Sequence, residues 1–471
     1  MAAMHSRRGA AAARVARSVE GAYGPLREAL DLETGLPLIL LPEGFRYRTF
    51  SWSGDAMTNG EPTPDLHDGM GVIAAHGRGD DLEVTLVRNH ERAISHPILA
   101  KARYDRSSPT GQGFAPAGGT TTLRFRGRQW VGSEPSLGGT IYNCAGGATP
   151  WGTWLSCEET VIDLTSRGGR RHGYVFEVRA DSAATTGKPI VGMGRMLHEA
   201  VAVDPKTNIA YLTEDNPRHS GFYRYIPKDT SGTPGSYEAD GRLQAARVIG
   251  RRNADLRAPA VGDTYRIDWV DIAKPDAASG PVPAAAAPST ASGPFRQGWA
   301  AGTLWLSRGE GICHHGDKFY FVDTEAGVDA AGRPGYGDGA VWELDPIANT
   351  LSALFVAGSQ QVGDNIDNIT LSPRGGILLC EDGDPVTDSY GPGTRLIGIT
   401  AEGDSFPFAK NNITLALDEI VAAGKNVLPN DYRAQEWAGA CFDPDGEVLF
   451  VNIQIPGITF AIWGPWERGN L

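Results

Sequence analysis

Short apolar runs bounded by glycine, proline, asparagine and aspartate recur along almost the whole chain. Runs of β-branched and aromatic residues with this punctuation are typical of short β-strands. The clearest runs are Leu82–Val87, Ile209–Leu212, Phe319–Val322, Ile377–Cys380 and Val448–Val451. Helical periodicity is nearly absent, and it predicts helices only over Arg27–Leu32 and Leu417–Ala423. The pattern therefore indicates an all-β protein with irregular insertions and few short helices.

Several of these runs belong to one recurring unit. It has a polar or acidic start, a strand, a turn with proline or glycine, a second strand and a polar or acidic end. Full versions span residues 198–215, 364–382 and 436–452, and shorter versions span 143–159 and 310–325. A β-hairpin repeat at a spacing of about 40–55 residues is typical of propeller blades. The repeats predict a β-propeller of about six blades if a degenerate unit near residue 255 is counted, and about seven if residues 68–91 add another.

A single propeller domain is expected over residues 36–471, after an N-terminal arm of residues 1–35. A segment rich in proline and alanine at about 275–294 predicts a surface loop within that domain. The 43 lysine and arginine residues against 56 aspartate and glutamate residues give a formal net charge of −13. This acidic balance argues against nucleic-acid binding. No apolar run reaches the roughly 18 residues of a transmembrane helix. As for oligomeric state, we expect a monomer.

Acidic residues stand at the start and end of most of the repeated hairpins. Because a propeller places equivalent positions of its blades around one central channel, carboxylates from several blades would gather there. So much negative charge in one place repels itself unless cations neutralise it. The repeats therefore predict a multi-metal site, whereas any single acid among them can also be read as a solvated turn residue.

One stretch is unusually rich in glycine and tryptophan and ends on two acids. It reads Gly138-Gly-Thr-Ile-Tyr-Asn-Cys-Ala-Gly-Gly-Ala-Thr-Pro-Trp-Gly-Thr-Trp-Leu-Ser-Cys-Glu-Glu159. This stretch resembles the signature of the PhoX family of bacterial alkaline phosphatases. Further stretches similar to that family lie at residues 67–70, 86–91, 198–205, 212–215, 308–311, 437–446 and 456–466. The resemblance covers roughly residues 40–466.

The resemblance implies a β-propeller with a mixed iron and calcium centre that hydrolyses phosphomonoesters. Cys144 would be a thiolate ligand of Fe³⁺, for which thiolate is a strong ligand. Carboxylates would supply oxygen ligands to Ca²⁺, which prefers about six to eight of them. The expected metal ligands are Cys144, Glu158, Glu159, Glu199, Glu310, Asp364 and Glu436. A small buried side chain in a glycine-rich turn is the alternative interpretation of Cys144.

Two residues are candidates for contact with the substrate. Arg308 and Glu310 are two positions apart, so on a strand both side chains lie on one face. Arg308 can then offer its planar guanidinium to a phosphate while Glu310 binds a metal. The resemblance adds Asn143 as a second contact to a phosphate oxygen. The alternative for Arg308 and Glu310 is an ion pair on the surface of a strand.

These observations predict a phosphomonoesterase with Fe³⁺ and Ca²⁺ as cofactors and a small-molecule phosphate ester as substrate. Two alternatives stay open: a calcium-dependent propeller hydrolase of lactones or other esters, and a non-catalytic calcium-binding propeller. Members of the family are typically exported to the periplasm or secreted. Here Ser6-Arg7-Arg8 is followed by a short apolar stretch that Arg14 interrupts, so no functional export signal is predicted and the compartment stays open.

Overall fold

Six antiparallel meanders of strands surround one axis in the computed structural model, which describes residues 15–111, 113–282 and 290–471. Each meander begins with a strand that lines the axis. These six inner strands are His67–His76, Asn143–Ala148, His198–Val203, Gly309–His315, Ile366–Leu371 and Trp437–Phe442. Each inner strand lies beside the next, and the last lies beside the first, so the ring is closed. The prediction of an all-β propeller is confirmed.

The outer strands follow the inner strand of each meander in chain order, each hydrogen-bonded to the one before it. They are Glu83–His90, Gly118–Arg126 and Gln129–Thr140 in the first meander, Thr153–Glu158 and Val175–Arg179 in the second, Ala210–Glu214, Phe222–Pro227 and Gly241–Val248 in the third, Lys318–Asp323, Ala340–Asp345 and Thr350–Val356 in the fourth, Ile377–Glu381, Arg395–Ile399 and Ser405–Asn411 in the fifth, and Leu449–Ile453 and Ile458–Trp463 in the sixth.

The N-terminal part of the chain completes the last two meanders. Arg46–Phe50 pairs with the final strand of the sixth meander, and Ile39–Pro42 and then Leu26–Ala29 extend the fifth. The helix predicted over Arg27–Leu32 is therefore wrong, because pairing with a ready sheet edge outweighs a weak local preference. Within the predicted N-terminal arm, residues 15–35 pack on the propeller, while residues 1–14 lie outside the described residues.

The repeat predicted near residue 255 does not supply an inner strand. The strands on either side of it, Gly241–Val248 and Thr264–Asp271, are both outer ones, and the second joins the third meander to the fourth. The sixth inner strand comes instead from the hairpin at residues 68–91. Sequence alone could not make this choice, because an outer strand and an inner strand have the same alternating pattern.

Helices are few among the described residues. Leu417–Ala422 forms the helix that the sequence predicts, and a second helix, Gly293–Ala301, begins at the cap Ser292, whose hydroxyl accepts from the backbone N–H of Phe295 at 3.1 Å. This second helix begins in the predicted proline- and alanine-rich loop, of which residues 283–289 lie outside the described residues. None of the described helices is long and apolar enough to cross a membrane.

Shorter elements decorate the loops. The two-residue strand pairs are Ile94–Ser95 with Ala115–Pro116, Gly280–Pro281 with Thr290–Ala291, Thr387–Asp388 with Gly391–Pro392, and Thr414–Leu415 with Asn430–Asp431. The 3₁₀ turns are Gly79–Asp81, Thr165–Arg167, Ser182–Ala184, Val191–Met193, Ser236–Ala239 and Trp466–Arg468.

The apolar core lies between neighbouring meanders. Between the third and fourth, Tyr211 packs on Phe319 with ring centroids 4.4 Å apart, and Phe222 stacks on Phe321 at 4.5 Å. All four rings are buried. Aromatic pairs at such distances stabilise a core beyond the area that they bury. The core thus holds adjacent meanders in a fixed relation, and this fixes the inner strands around the axis.

Candidate metal centre

Every inner strand carries a β-bulge near its first residues. A bulge adds an unpaired residue and re-aims the side chains beside it. The residue that follows the first paired position of each inner strand therefore occupies an equivalent place around the axis. We name these residues the inner ring; they are Asp68, Cys144, Glu199, Glu310, Asp367 and Ala438. Five of the six meanders thus supply an acid or a thiol at the same level.

Small residues behind the inner ring let the inner strands approach one another closely. A Cβ atom on Gly69 would lie 2.4 Å from the Cα atom of Ala145, and one on Gly311 would lie 2.9 Å from the Cα atom of Asn368. Both distances are too short for a side chain. Glycine at these two positions is therefore required for the close packing that brings the inner-ring side chains together.

A second ring lies at the end of the second strand of each meander. In five meanders the last residue of that strand pairs with the residue just before the inner ring, so the residue that follows it lies beside the inner ring. The first residues beyond the second strands, which we name the second ring, are Glu91, Glu159, Asp215, Thr324, Asp382 and Gln454.

In at least three meanders, the residue just before the second ring faces away from the rings and holds a loop through hydrogen bonds to its carboxylate. Glu158 accepts four hydrogen bonds, among them one from Nδ1 of His172 at 2.6 Å and one from the N–H of Ile141 at 2.9 Å. Asp323 and Glu381 hold loops in the same way, since each accepts backbone N–H groups from the segment before its inner strand. Adjacent acids in this sequence thus have different roles, because successive strand residues face opposite sides.

Two triads of side chains converge within the rings. Ligand atoms of Glu91, Cys144 and Glu159 all lie within 4.8 Å of one another, and we name this set the thiol triad. Ligand atoms of Glu199, Glu310 and Asp367 converge within the same distance, and we name this set the carboxylate triad. Of these six residues, the predicted ligand set lacked Glu91 and Asp367.

A third group of acids meets around Gln454. Its Nε2 lies 3.0 Å from Oε2 of Glu91, 3.0 Å from Oε1 of Glu436 and 3.4 Å from Oδ2 of Asp68. Glu436 precedes the sixth inner strand, where the inner ring has only an alanine. The sixth meander therefore contributes Glu436 from its loop and holds it against acids of the first meander.

Arg308 is the cation of the site among the described residues. Its Nε and Nη2 donate to the two carboxylate oxygens of Asp215 at 2.9 and 2.5 Å, and Nη2 lies 3.2 Å from Oε1 of Glu310. The two-residue spacing thus places Arg308 beside Glu310, as the sequence predicts. The Arg308 side chain stays 25% exposed while both acids are buried. Burial alone lowers its pKa, but Glu310 and Asp215 outweigh burial and hold that pKa above its ordinary value.

The negative charge of the site exceeds what Arg308 can balance. Burial, and then the charges of Asp367 and Asp68, raise the pKa of Glu199 well above its ordinary range. Burial raises the pKa of the Cys144 thiol in the same direction. Both carboxylate oxygens of Glu199 are buried without a hydrogen-bond partner. A buried carboxylate in that state is costly unless a cation binds it, so the residues fit a metal centre. A thiolate with carboxylates suits iron, and an all-oxygen set suits calcium.

Three predicted site residues are not brought to this cluster. Glu158 is the anchor described above. Asn143 is buried with both ends of its amide used, since Nδ2 donates to Ser156 at 2.9 Å and Oδ1 accepts from Thr140 at 2.5 Å. Asp364 lies three residues before Asp367, beside Glu381, whose carboxylate accepts from its backbone N–H at 3.0 Å. The structure therefore gives Asn143 and Glu158 supporting contacts and gives the inner-ring place to Asp367.

Adjacent Glu158 and Glu159 offer a matched test of these roles. Glu159→Gln should lose bound metal and should not lower the thermal stability of the metal-free protein, because it removes a buried charge that Asp215 and Glu199 repel. Glu158→Gln should keep the metal, yet lose about 2–3 kcal/mol of stability, because its new NH₂ group faces hydrogen-bond donors. Elemental analysis and thermal denaturation of both purified variants measure these effects. Loss of metal from both variants at equal stability would place Glu158 among the ligands instead.

The metal-free protein should become less stable as the pH rises. Burial, and then Asp382, raise the pKa of Glu91 to about 7 from 4.5 and that of Asp367 to about 7 from 3.8. A carboxyl whose pKa is higher in the folded state binds its proton more tightly there, so stability falls between the unfolded and folded pKa values. In a chelator, Tm should therefore fall from pH 5 to pH 7. Calcium should raise Tm more at pH 8 than at pH 5, because protons compete with it. An unchanged Tm over this range would contradict the account.

A propeller whose channel mouth gathers a thiol and many carboxylates around one arginine has the features of a metalloenzyme that acts on anions. The sequence matches the family model described as alkaline phosphatase PhoX over residues 21–137 and 102–457. The chain belongs to the PhoX family. It is therefore an alkaline phosphatase-type enzyme, and its family is metal-dependent.

A solved structure shares the fold. PhoX from Pseudomonas fluorescens in complex with vanadate, a transition state analogue, is similar with a TM-score of 0.63 and 16% identity, over 97% of this chain and 99% of that one. A gluconolactonase from Xanthomonas campestris has a TM-score of 0.41 and 10% identity, over 94% and 98% of the two chains. Comparison with curated protein sequences gives no match.

Proposed function

We propose that the chain hydrolyses phosphomonoesters at a mixed iron and calcium centre in the mouth of the propeller channel. The observation that carries this proposal is the position of Arg308, whose partly exposed side chain lies beside the carboxylate triad. A cation so placed favours an anionic substrate over a neutral lactone or ester. A non-catalytic calcium propeller would need neither that arginine nor the thiol of Cys144.

The two triads differ in donor chemistry, and this assigns their metals in the proposal. The thiol triad would hold Fe³⁺, because it contains the one thiol of the rings. The carboxylate triad, with Asp68, Asp382 and Glu436 nearby, would hold Ca²⁺, which prefers carboxylate oxygens. When bound, such metals neutralise the charge of the phosphoryl group and activate water for attack.

The residues of the chain would bind and orient the ester. Arg308 would donate N–H groups to a non-bridging phosphoryl oxygen, at a guanidinium that Asp215 already holds in one orientation. Because that orientation exists before the substrate binds, little reorganisation is needed as charge builds up on the phosphoryl oxygens. Anchors such as Glu158 and Asp323 keep the loops of the rings fixed.

The direct test is hydrolysis of p-nitrophenyl phosphate by the purified protein. We expect turnover that chelation abolishes and that added iron and calcium restore, with inhibition by orthovanadate. The neutral ester p-nitrophenyl acetate and a δ-lactone serve as matched substrates. Metal-dependent hydrolysis of those two without hydrolysis of the phosphate would favour the lactonase alternative, and no turnover of any of them by the reconstituted protein would favour a binding propeller.

A further inference from the structure

The second ring is acidic in four meanders and neutral in two. The two neutral members are Gln454, whose amide already contacts three carboxylates, and Thr324. Thr324 is only 1% exposed. It is a small, uncharged residue with a hydroxyl, at a position where four other meanders carry an acid.

The register of the fourth meander fixes which way Thr324 faces. Asp323 pairs with Gly309, and its carboxylate accepts from the N–H groups of Ser307 at 3.1 Å and Arg308 at 2.8 Å. Asp323 is thus one of the anchors, and the next residue faces the opposite side, where the other meanders carry their second-ring acids. The N–H of Thr324 donates to the carbonyl of Arg308 at 3.0 Å, so the two residues are direct neighbours.

We propose that Thr324 binds a phosphoryl oxygen of the substrate beside Arg308, an inference that rests on the phosphatase function proposed above. The acidic residues of the second ring repel a phosphate dianion. The fourth meander combines a cation with a second-ring position that carries no charge. A hydroxyl there donates a hydrogen bond to the anion, whereas an acid there would repel it. Arg308 and Thr324 together form the part of the site that binds phosphate.

The test compares Thr324→Val with Thr324→Ser in the metal-loaded enzyme. Loss of one hydrogen bond to a charged group should weaken binding of inorganic phosphate, measured by calorimetry, and raise KM for p-nitrophenyl phosphate by about tenfold. Serine should keep wild-type affinity, and T324D should abolish phosphate binding. Bound iron and calcium should not change in the valine and serine variants. Thr122→Val is the matched control, because Thr122 is also a buried threonine but belongs to neither ring, and it should match the wild type.

The outcomes separate this inference from the proposed function. A wild-type enzyme that neither binds nor hydrolyses phosphate compounds would overturn the function itself. If the wild type is active and Arg308→Lys weakens phosphate binding while T324V does not, the role of Thr324 is overturned alone. Loss of metal in T324V also overturns it, because Thr324 would then act on the centre. If the valine variant does not fold, Thr324→Ala takes its place with the same expected result.

Discussion

Replacing Glu199 by glutamine should lower kcat/KM for phosphomonoesters by about 10³-fold or more, because metal-based charge stabilisation contributes several kcal/mol to such reactions. Glu199 is buried, and neither of its carboxylate oxygens has a hydrogen-bond partner. No N–H or O–H group of the described residues offsets its charge, and only the Cys144 thiol lowers its pKa, so a bound cation would stabilise it. The variant should lose bound calcium, measured by elemental analysis of the same samples.

The same variant should make the metal-free protein more stable. Glutamine removes a charge that Asp367 and Asp68 repel, so Tm in a chelator at pH 8 should rise above that of the wild type. Glu214→Gln is the matched control from the same meander. Glu214 is equally buried but accepts hydrogen bonds from the hydroxyl of Tyr223 at 2.6 Å and the N–H of Gly221 at 3.1 Å. It should keep its metals and lose stability. A Glu199→Gln variant with full metal content and activity would contradict the assignment.

Replacing Arg308 by lysine should lower kcat/KM by about 10²- to 10³-fold while metal content stays unchanged. Lysine keeps the positive charge but not the planar pair of donors with which arginine binds a carboxylate or a phosphate. Two donors of Arg308 already contact Asp215, and its remaining N–H groups are available to a substrate. The expected loss therefore falls on phosphate recognition and not on the metals.

A control for Arg308 comes from another buried pair. Arg395 contacts Glu381 at 2.6 Å in the fifth meander, and both side chains are almost fully buried. Arg395→Lys should lower stability without a specific loss of phosphate affinity in the folded enzyme. If Arg308→Lys instead kept wild-type KM and kcat, or lost its calcium, Arg308 would be a structural counter-ion and not a substrate residue.

Much of the fold was predictable because propeller blades repeat. The five strand runs taken from the sequence all overlap strands, and three of them begin one residue early. Phe319–Val322, for example, lies within Lys318–Asp323. The repeats also indicated that acids would meet at one place. Strand pairing across distant parts of the chain was not predictable: Leu26–Ala29 has no local feature that announces the fifth meander as its partner.

The site shows why acidic repeats alone could not place every residue of the two rings. Residues 364–368 read Asp-Asn-Ile-Asp-Asn, so the same dipeptide occurs twice, three residues apart. Only the pairing of Ile366 with Glu381 decides that Asp367, and not Asp364, follows the bulge into the inner ring. Asp68 and Glu91 had the same signal as Glu199, an acid at a hairpin end, and a consistent register across the repeats would have found them.

The most direct test of the account is the number of iron and calcium ions per chain in the wild type and in Cys144→Ser, measured together with hydrolysis of p-nitrophenyl phosphate. The account predicts iron and calcium in the wild type, and loss of iron and of activity with calcium retained in the serine variant. An active wild-type enzyme without iron, or a serine variant that keeps its iron, would contradict the assignment of the two triads.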